Sequence, residues 1–278
     1  MRDAWRTIRT TLRDRDNPFL RFAAPGHFYS PIPSSEDVLD ASRRPIPRTL
    51  PGIDTADSEQ LALLQRMRDL GRPDFRRYRE TPMFVLADAL ALAGMLRQVR
   101  PRHYLEVGSG YSSAVALDTN DSLDRSLSCT FIEPYPARLH ALLSDEDRRT
   151  HSILEQRIQD VDRRVFDRLQ ANDVLFIDSS HVVKLASDVV YLLTEIVPSL
   201  PSGVLVHIHD IRWPFEYWPE WLTEGRAWNE TYLVKAMLQH SRRYEMLLFN
   251  DYLGRYYPEA LDPSTRTNPG GSLWLRVR

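Results

Sequence analysis

The sequence predicts an α/β fold, built on a doubly wound parallel sheet with helices on both faces. Short runs rich in β-branched and aromatic residues recur at 103–107, 128–133, 151–155, 173–177 and 203–209. The segments between these runs read as helices, or as loops followed by helices, and this alternation is typical of a parallel sheet. Two further strand candidates, YEMLLFN and SLWLRVR, follow near the C-terminus, the second after the turn signal NPGG.

The residues before the first strand candidate have a different character. A charged helix is predicted over residues 1–20, and the proline-rich stretch 24–52 is expected to wrap around a larger body, because proline removes backbone donors. Leucines at a helical period predict a helix between Ser58 and Gly71. We therefore divide the chain into an extended and helical N-terminal cap, 1–80, and a main domain, 81–278.

Composition excludes several classes of partner. The 278 residues include 36 basic and 38 acidic ones, a formal net charge of −2, so no nucleic-acid partner is expected. The sequence has no signal peptide and no run of about 18 apolar residues, which predicts no membrane partner and a cytoplasmic location. Cys129 lies in an apolar run and is expected to be buried and inert. The oligomeric state is open, with a homodimer as one option.

The stretch YLEVGSGYSS, residues 104–113, joins the first strand candidate to a helix. Gly108 and Gly110 allow a tight turn and a close approach of the backbone to a ligand, and the helix offers free N–H donors. The spacing is not the dinucleotide fingerprint, because Ser113 stands where its third glycine belongs. Glu106 would repel a pyrophosphate but attract a cationic ligand.

Residues that could bind a ligand in the same site follow two further strand candidates. Glu133 ends the second strand candidate, roughly 20 residues beyond the glycines, where a doubly wound fold places an acid beside ribose hydroxyls. Gln159 and Asp160, in IQDV after the third candidate, can accept a hydrogen bond from an adenine amino group. A turn-forming or helix-capping role is the alternative for Asp160.

Taken together, the sequence resembles the class I S-adenosylmethionine-dependent methyltransferases, and most closely a bacterial branch of them. The resemblance rests on EVGSGYSS, FIEP, QDV, DVLFIDSSH, GVLVHIHDI and the terminal GGSLWLR, in this order from about residue 80 to the end. It implies a Rossmann-like, seven-stranded sheet, mostly parallel with an antiparallel last strand, together with the N-terminal cap segment. The family's usual third glycine is replaced by Ser112, which still allows close approach.

The resemblance implies S-adenosylmethionine as the cofactor, over the carboxyl ends of the first two strands. Its ammonium and sulfonium groups suit the charge of Glu106. The predicted cofactor-binding residues are Glu106, Gly108, Ser109, Gly110, Ser112, Ser113, Glu133, Gln159, Asp160 and Asp178.

The fourth and fifth strand candidates are neighbours in such a sheet, so Asp178, His181 and Asp210 are expected to converge where an acceptor would sit. They are the predicted catalytic residues, with His181 as the general base, because imidazole titrates near neutrality. Asp178 and Asp210 also resemble in placement the magnesium ligands of catechol-type O-methyltransferases. Ile211 departs from that pattern, so magnesium is left open. His207 and His209 are expected to be hydrogen-bonded core histidines.

The aromatic segment 213–232 is predicted either to pack on the core or to form a lid over the acceptor. The predicted acceptor contacts are His181, Glu216, Trp228, Asn229 and Tyr232.

These observations lead to one hypothesis and three alternatives. The hypothesis is methyl transfer to a small polar or glycan-like acceptor, at oxygen rather than nitrogen or carbon. A nucleotide-dependent oxidoreductase is the first alternative, which Glu106 and the missing glycine oppose. The others are a metal hydrolase using HIHD and His181, and a binding module that keeps the cofactor fold without catalysis.

Overall fold

The computed structural model describes residues 18–278, so most of the predicted helix over residues 1–20 lies outside the described residues. A seven-stranded sheet organises the described chain. Its strands are β1 (His103–Val107), β2 (Ser128–Ile132), β3 (Ser152–Leu154), β4 (Val174–Ile177), β5 (Leu205–Ile208), β6 (Tyr244–Phe249) and β7 (Leu273–Val277).

The strand order is β3-β2-β1-β4-β5-β7-β6. The strands from β3 to β5 pair in parallel, and β7 runs antiparallel to both β5 and β6. Each predicted strand run contains an observed strand. The predicted fold class, a mostly parallel seven-stranded sheet with an antiparallel last strand, is therefore confirmed.

Helices flank the sheet. The α-helices of the described residues are α1 (Pro18–Phe22), α2 (Ser35–Arg43), α3 (Asp57–Asp69), α4 (Leu86–Val99), α5 (Tyr111–Asp121), α6 (Ala137–Leu142), α7 (Asp145–Thr150), α8 (Asp188–Tyr191), α9 (Val197–Ser199), α10 (Pro219–Thr223), α11 (Glu230–Leu238) and α12 (Asn250–Tyr256). A π-helical turn (Leu192–Ile196) joins α8 to α9, and 3-10 turns cover Ile158–Asp160, Arg163–Arg168, Pro258–Ala260 and Pro263–Thr265. Over residues 18–278, none of the helices is long and apolar enough to cross a membrane.

The core lies around the central strands. Every residue of β4 and β5 is buried, because helices cover both faces of the sheet. Cys129 on β2 is buried as predicted, and burial raises the pKa of its thiol well above the ordinary value. A buried, protonated thiol is a poor nucleophile.

The helix predicted between Ser58 and Gly71 is present as α3. Its buried face is not the one that the spacing of Leu61, Leu64 and Leu70 predicts. Its N-cap is Ala56, and its buried residues are Gln60, Leu63 and Met67. The helix contacts β6, where the side-chain oxygen of Gln60 accepts a hydrogen bond from the backbone N–H of Phe249 at 2.6 Å. Because its side-chain amide is hydrogen-bonded to the strand, the polar residue Gln60 can occupy a position on the buried face of the helix.

The chain groups into two compact units. One contains residues 47–216 and 228–278, with the whole sheet. The other contains residues 217–227 and the described part of the first 46 residues, and in it α2 contacts α10. The observed division at residue 46 differs from the predicted one at residue 80, because α3 packs on β6 and α4 within the larger unit. The capping role of the N-terminal segment stays a prediction.

The sheet winds in opposite directions on either side of β1. This strand pairs with β2 on one side and with β4 on the other, so the carboxyl ends of β1, β2, β4 and β5 lie along one edge. Ligands of open α/β sheets bind at such a switch point. Glu106 lies near the end of β1, and the loops after these strands carry Gly108 to Gly110, Glu133, Asp178 and Asp210.

One arginine ties the segment between α3 and α4 to the larger unit. The guanidinium of Arg77 lies 3.1 Å from Asp118, 2.6 Å from Asp121 and 3.0 Å from Asp147. The Asp118 side chain is fully buried and also accepts hydrogen bonds from the backbone N–H groups of residues 76–78. Since Asp118 lies on α5, this cluster anchors the segment to the helix that follows the glycine loop.

We expect Arg77→Met to lower the free energy of unfolding by about 3 kcal/mol, because it leaves buried carboxylates unpaired. Urea unfolding followed by circular dichroism measures this. Arg76→Met is the matched control, since the ion pair of Arg76 with Asp74 is mostly exposed; its loss should be below about 0.5 kcal/mol. Equal losses in the two variants would contradict the anchoring role.

Candidate active site

The glycine loop connects β1 to α5 and holds a buried carboxylate. Glu106 is fully buried on β1, and its Oε1 accepts hydrogen bonds from the hydroxyls of Ser112 at 2.5 Å and Ser113 at 3.0 Å. Its Oε2 is buried and has no partner among the described residues. Burial raises the pKa of Glu106 to about 8, against the opposing effect of the hydroxyls of Ser112, Ser113 and the buried Tyr104. The site therefore contains an acid that is mostly protonated at neutral pH.

The end of the neighbouring strand β4 leaves no room for a side chain at Gly108. Its φ is +82°, and a Cβ placed there would lie 1.7 Å from the carbonyl oxygen of Asp178. The backbone N–H of Asp178 also donates to the carbonyl of Val107 at 2.9 Å. The sequence interpretation assigns the missing side chain to ligand approach. In the structure the end of β4 by itself requires a glycine at this position, and the contact of Gly108 with a ligand stays a prediction.

Gly110 and Ser109 complete the loop. A Cβ on Gly110 would lie 3.1 Å from Cδ of Arg138, whose side chain lies across the loop. Ser109 is buried, and its hydroxyl has no partner among the described residues. Buried polar atoms are rarely left unpaired in proteins, and a ligand bound at this loop would supply partners for the Ser109 hydroxyl and Oε2 of Glu106.

The ribose and adenine candidates lie at the ends of β2 and β3. Glu133 is half-buried and accepts a hydrogen bond from the backbone N–H of Tyr135 at 2.8 Å. Gln159 donates to the carbonyl of Ala186 at 2.9 Å. The exposed Asp160 accepts two hydrogen bonds from the guanidinium of Arg157, at 2.8 and 3.0 Å. Their roles toward a ligand stay predictions, and for Asp160 an arginine already engages the carboxylate.

The structure brings Asp178, His181 and Asp210 together, as predicted. His181 is buried, and its Nε2 lies 3.4 Å from Oδ1 of Asp178 and 3.8 Å from Oδ2 of Asp210. The indole of Trp228 packs against the imidazole with ring centroids 4.4 Å apart. The cluster therefore presents two carboxylates and one imidazole at the ends of β4 and β5.

Sequence reasoning missed Glu230, which is hydrogen-bonded to Nδ1 of His181. The Glu230 side chain is fully buried; it accepts hydrogen bonds from Nδ1 of His181 at 2.9 Å and from the hydroxyl of Ser179 at 2.9 Å. A glutamate at the start of a helix reads as an ordinary first-turn acid, so the sequence gives no signal for this pairing.

Asn229, predicted as an acceptor contact, has a structural role in the folded chain, and its contact with an acceptor stays a prediction. Its side-chain oxygen accepts from the backbone N–H of Val183 at 2.5 Å, and its amide donates to the carbonyl of the same residue at 3.3 Å. This pairing fixes the loop that carries His181, and it occupies both polar groups of the side chain.

The carboxylates determine the charge of the imidazoles. Burial lowers the pKa of His181, but Asp178 and Glu230 outweigh it and the pKa lies well above the ordinary value. Burial raises the pKa of Asp178, but His209 and His181 bring it below the usual range. At neutral pH His181 is thus a cation between carboxylates, which does not favour it as the group that takes a proton first.

His207 on β5 and His209 just after it lie in different environments. His207 is a core histidine as predicted: its Nε2 lies 3.0 Å from the hydroxyl of Ser272, and burial lowers its pKa. His209 is also buried, but its Nε2 lies 3.6 Å from Oδ1 of Asp210. Burial lowers the pKa of His209, and Asp210 together with Asp178 raises it above the ordinary value. His209 therefore belongs to the charged cluster.

No metal centre is apparent in the described part of the chain. Residues 18–278 contain no group of three or more His, Cys, Asp or Glu side chains arranged to hold a metal ion. Asp178 and Asp210 instead face His181. The magnesium site stays a prediction, and the donor set does not fit it in this arrangement.

Asp88, another residue that sequence reasoning missed, supports Asp210. The carboxylate of Asp88 is buried in α4 and accepts hydrogen bonds from the N–H groups of Gly271 and Ser272, at 3.0 and 2.9 Å. The carbonyl of Gly271 then accepts from the N–H of Ile211 at 3.0 Å. A Cβ on Gly271 would lie 2.9 Å from Cα of Asp210. The terminal GGS motif is thus a support for the acceptor-side loop.

Different parts of the aromatic segment 213–232 lie in different environments. Trp213 and Phe215 are buried in the core against Phe249, so packing is confirmed for this part. Tyr232 donates a hydrogen bond from its hydroxyl to Glu216. A lid over the acceptor stays a prediction.

The chain matches a family model and a known relative. The model, described as a methyltransferase domain, matches residues 105–211, from β1 to the loop after β5. An uncharacterised protein of Archaeoglobus fulgidus is 32% identical over 172 residues, which cover 53% of this chain and 74% of the relative.

Solved structures with similarity to the chain include two methyltransferases. One is the O-methyltransferase TomG of Streptomyces achromogenes, involved in tomaymycin synthesis and solved with S-adenosylmethionine; it is 15% identical with a TM-score of 0.46, over 88% of this chain and 96% of TomG. The other is the methyltransferase PaMTH1 of Podospora anserina, solved with S-adenosylhomocysteine; it is 15% identical with a TM-score of 0.44, over 89% and 98% of the two chains.

The family assignment follows from the match of residues 105–211 to the methyltransferase-domain model, and it agrees with the strand order and the glycine loop at the switch point. The oxidoreductase and hydrolase alternatives are not favoured. The chain belongs to the class I S-adenosylmethionine-dependent methyltransferases, a family of methyl-transferring enzymes whose cofactor is S-adenosylmethionine.

Proposed function

We propose that this enzyme methylates a hydroxyl group of a small, polar, glycan-like acceptor. The observation that carries the proposal is the junction of β1 and β4, where the glycine loop with its orphaned Glu106 oxygen adjoins the cluster of Asp178, His181 and Asp210. One side of this junction suits a cationic cofactor and the other suits a hydroxyl-bearing acceptor. Both lie at the edge of the sheet where ligands of this fold bind.

The residues present fit the cofactor. Oε2 of Glu106 is a buried acceptor without a partner, and an ammonium group would supply the missing hydrogen bond. Glu133 would bind the ribose hydroxyls, and Gln159 with Asp160 would face the adenine. Bound S-adenosylmethionine supplies an electrophilic methyl carbon on a sulfonium. What the chain contributes is the position and charge of the groups around it.

The acceptor side favours a neutral molecule with hydroxyl groups. Asp178, Asp210 and Glu230 place three carboxylates around two imidazoles, so an anionic acceptor would be repelled. Carboxylates accept hydrogen bonds from hydroxyls and orient their oxygen lone pairs. The ring of Trp228 next to His181 offers an apolar face beside these polar groups, a combination typical of small-molecule sites.

His181 acts in this proposal as a positioning cation. Held by Glu230 on Nδ1, its Nε2 faces both Asp178 and Asp210 and keeps the two carboxylates in place. The acceptor hydroxyl then donates to a carboxylate, which can receive its proton as the oxygen–methyl bond forms. Most of the rate enhancement comes from orientation of oxygen against the methyl carbon.

The first prediction concerns Glu106. Since the pKa of this acid lies near 8 in the free chain, a bound ammonium should lower the pKa and release a proton at pH 7. The sign follows: affinity for S-adenosylhomocysteine should rise from pH 6 toward pH 8. Calorimetry in two buffers of different ionisation enthalpy counts the released proton.

Two variants control this measurement. Glu106→Gln should abolish the proton release and flatten the pH dependence. Glu133→Gln should weaken binding about tenfold or more through a lost charge-assisted hydrogen bond, yet keep the proton count. Equal proton release in wild type and Glu106→Gln would remove Glu106 from the cofactor site.

The second prediction concerns the acceptor cluster. His181→Ala should lower kcat about a hundredfold, because Asp178 and Asp210 lose the group that positions them, while affinity for S-adenosylhomocysteine changes less than about twofold. Glu230→Gln should lower kcat in the same direction. His103→Ala, at the opposite end of β1, is the control and should keep full turnover. A His181→Ala enzyme with wild-type kcat would refute the acceptor-side assignment.

The third prediction concerns magnesium. Because the carboxylates of Asp178 and Asp210 are engaged by imidazoles, turnover should survive EDTA and should not rise with added magnesium. Loss of turnover in EDTA, restored by magnesium, would show that the two acids rearrange into a metal site.

A further inference from the structure

A cavity lies between α3, α4 and the segment that follows α12. Its volume is about 260 Å³, which is close to the lower end of the range for small-molecule sites. Within residues 18–278, none of the residues that we place in the candidate active site lines this cavity. It is therefore a separate place in the fold where a small molecule could bind.

Apolar side chains form much of the lining. Leu64 and Met67 belong to α3, Leu90 and Ala91 belong to α4, and Leu261 follows α12. Leu64 and Leu90 remain partly exposed, and Leu64 belongs to the leucine series whose spacing predicts a buried face of α3. Burying an exposed apolar side chain is favourable. A ligand with an apolar body would gain free energy by covering these two leucines.

The charged part of the lining is basic, although the whole chain has a formal net charge of −2. Arg68, Arg72, Arg97 and Asp262 contribute to it. Arg72 lies 3.9 Å from the carboxylate of Asp262. The guanidinium groups of Arg68 and Arg97 donate hydrogen bonds to backbone carbonyl oxygens, at 2.9 and 2.7 Å, and neither forms an ion pair within residues 18–278. Two positive charges are thus left without a carboxylate.

One wall of the cavity continues into the terminal GGS motif. Pro269 lines the cavity and directly precedes the two glycines of that motif. Asn250 also lines the cavity, and its backbone N–H donates to the carbonyl of Ser272 at 3.0 Å. Because the GGS motif supports the loop of Asp210, a ligand in the cavity would lie against the segment that leads to this support.

We propose that this cavity binds a small monocarboxylate with an apolar body, such as a medium-chain fatty acid. The carboxylate binds Arg68 and Arg97, whose planar guanidinium groups match it through parallel hydrogen bonds. The chain covers Leu64 and Leu90. A neutral apolar molecule would leave both guanidinium groups without a counter-charge, and an inorganic anion would leave the leucines exposed. Both parts of the ligand are therefore required.

The test compares octanoate with octan-1-ol by isothermal titration calorimetry on the full-length chain. Wild type should bind octanoate about tenfold or more tightly than the alcohol, because only the acid carries a charge. The double variant Arg68→Gln, Arg97→Gln should reduce this ratio to below about threefold and leave the affinity for the alcohol unchanged. Arg66→Gln is the matched control: this arginine lies on the same helix but does not line the cavity, so the wild-type ratio should remain.

A second variant tests the apolar part of the site. Leu64→Glu places a carboxylate in the lining and should weaken octanoate about tenfold or more. Leu64 is partly exposed and glutamate favours helices, so the fold should be kept. Thermal unfolding of each variant checks this.

Hydrogen exchange locates the bound ligand. Octanoate should slow amide exchange in residues 64–73 and 261–269 and leave the glycine loop after β1 unchanged. Inorganic phosphate at the same concentration should not displace it.

Each outcome decides the proposal. It would be overturned by a wild-type ratio near one, by an unchanged ratio in the double variant, by undiminished octanoate binding in Leu64→Glu, by displacement with phosphate, or by exchange protection at the glycine loop alone. Absence of octanoate binding to wild type would also refute it. The experiment uses no S-adenosylmethionine, so these results leave the proposed function untouched.

Discussion

The close approach of two backbones, at the carboxyl ends of β1 and β4, is the constraint on which the site depends. Gly108 meets the carbonyl of Asp178 at a distance that no Cβ would permit, with φ in the left-handed region. The approach turns the chain from β1 into the glycine loop and sets the first acid of the acceptor cluster beside that loop. Replacement of this glycine would separate the two halves of the site before it affected any ligand contact.

Charge is distributed unevenly across that junction. On the β1 side a single carboxyl is buried beside the hydroxyl of Tyr104, with one oxygen bound by two serines and the other without a hydrogen bond at normal distance. On the β4 and β5 side carboxylates and imidazoles neutralise one another in a compact cluster. A buried group without a partner is costly, and such costs are tolerated where a ligand removes them. On this contrast rests our proposal that the β1 side binds a charged cofactor and the other side a neutral acceptor.

Local patterns in the sequence were sufficient for the strands and for the acids at their ends. The strand runs alternate with helices, and the carboxyl ends of parallel strands meet at one edge, so Asp178 and Asp210 could be placed together without coordinates. The residues that support His181 and the loop of Asp210 could not be predicted from the sequence. Glu230 lies far from His181 in the chain, and Asp88 lies far from Gly271, which packs against Asp210. Only the folded sheet brings these residues into contact.

Gly108 and Asn229 show a common limit of sequence reasoning. The sequence predicts a ligand contact for each, and in the structure each also meets another part of the chain. A residue type reveals that a position needs a small or polar side chain, and it does not reveal which neighbour imposes the need. The face of α3 shows the same limit, because Gln60 is buried by a hydrogen bond to β6 that leucine spacing cannot represent.

The central claim is that cofactor and acceptor meet at the junction of β1 and β4, and a crystal structure of the chain with S-adenosylhomocysteine tests it most directly. We expect the ligand's amine within hydrogen-bonding distance of Oε2 of Glu106, its ribose hydroxyls on Glu133, and its sulfur facing Asp178 and His181. A ligand bound at another edge of the sheet, or one whose sulfur turns away from that cluster, would contradict the account.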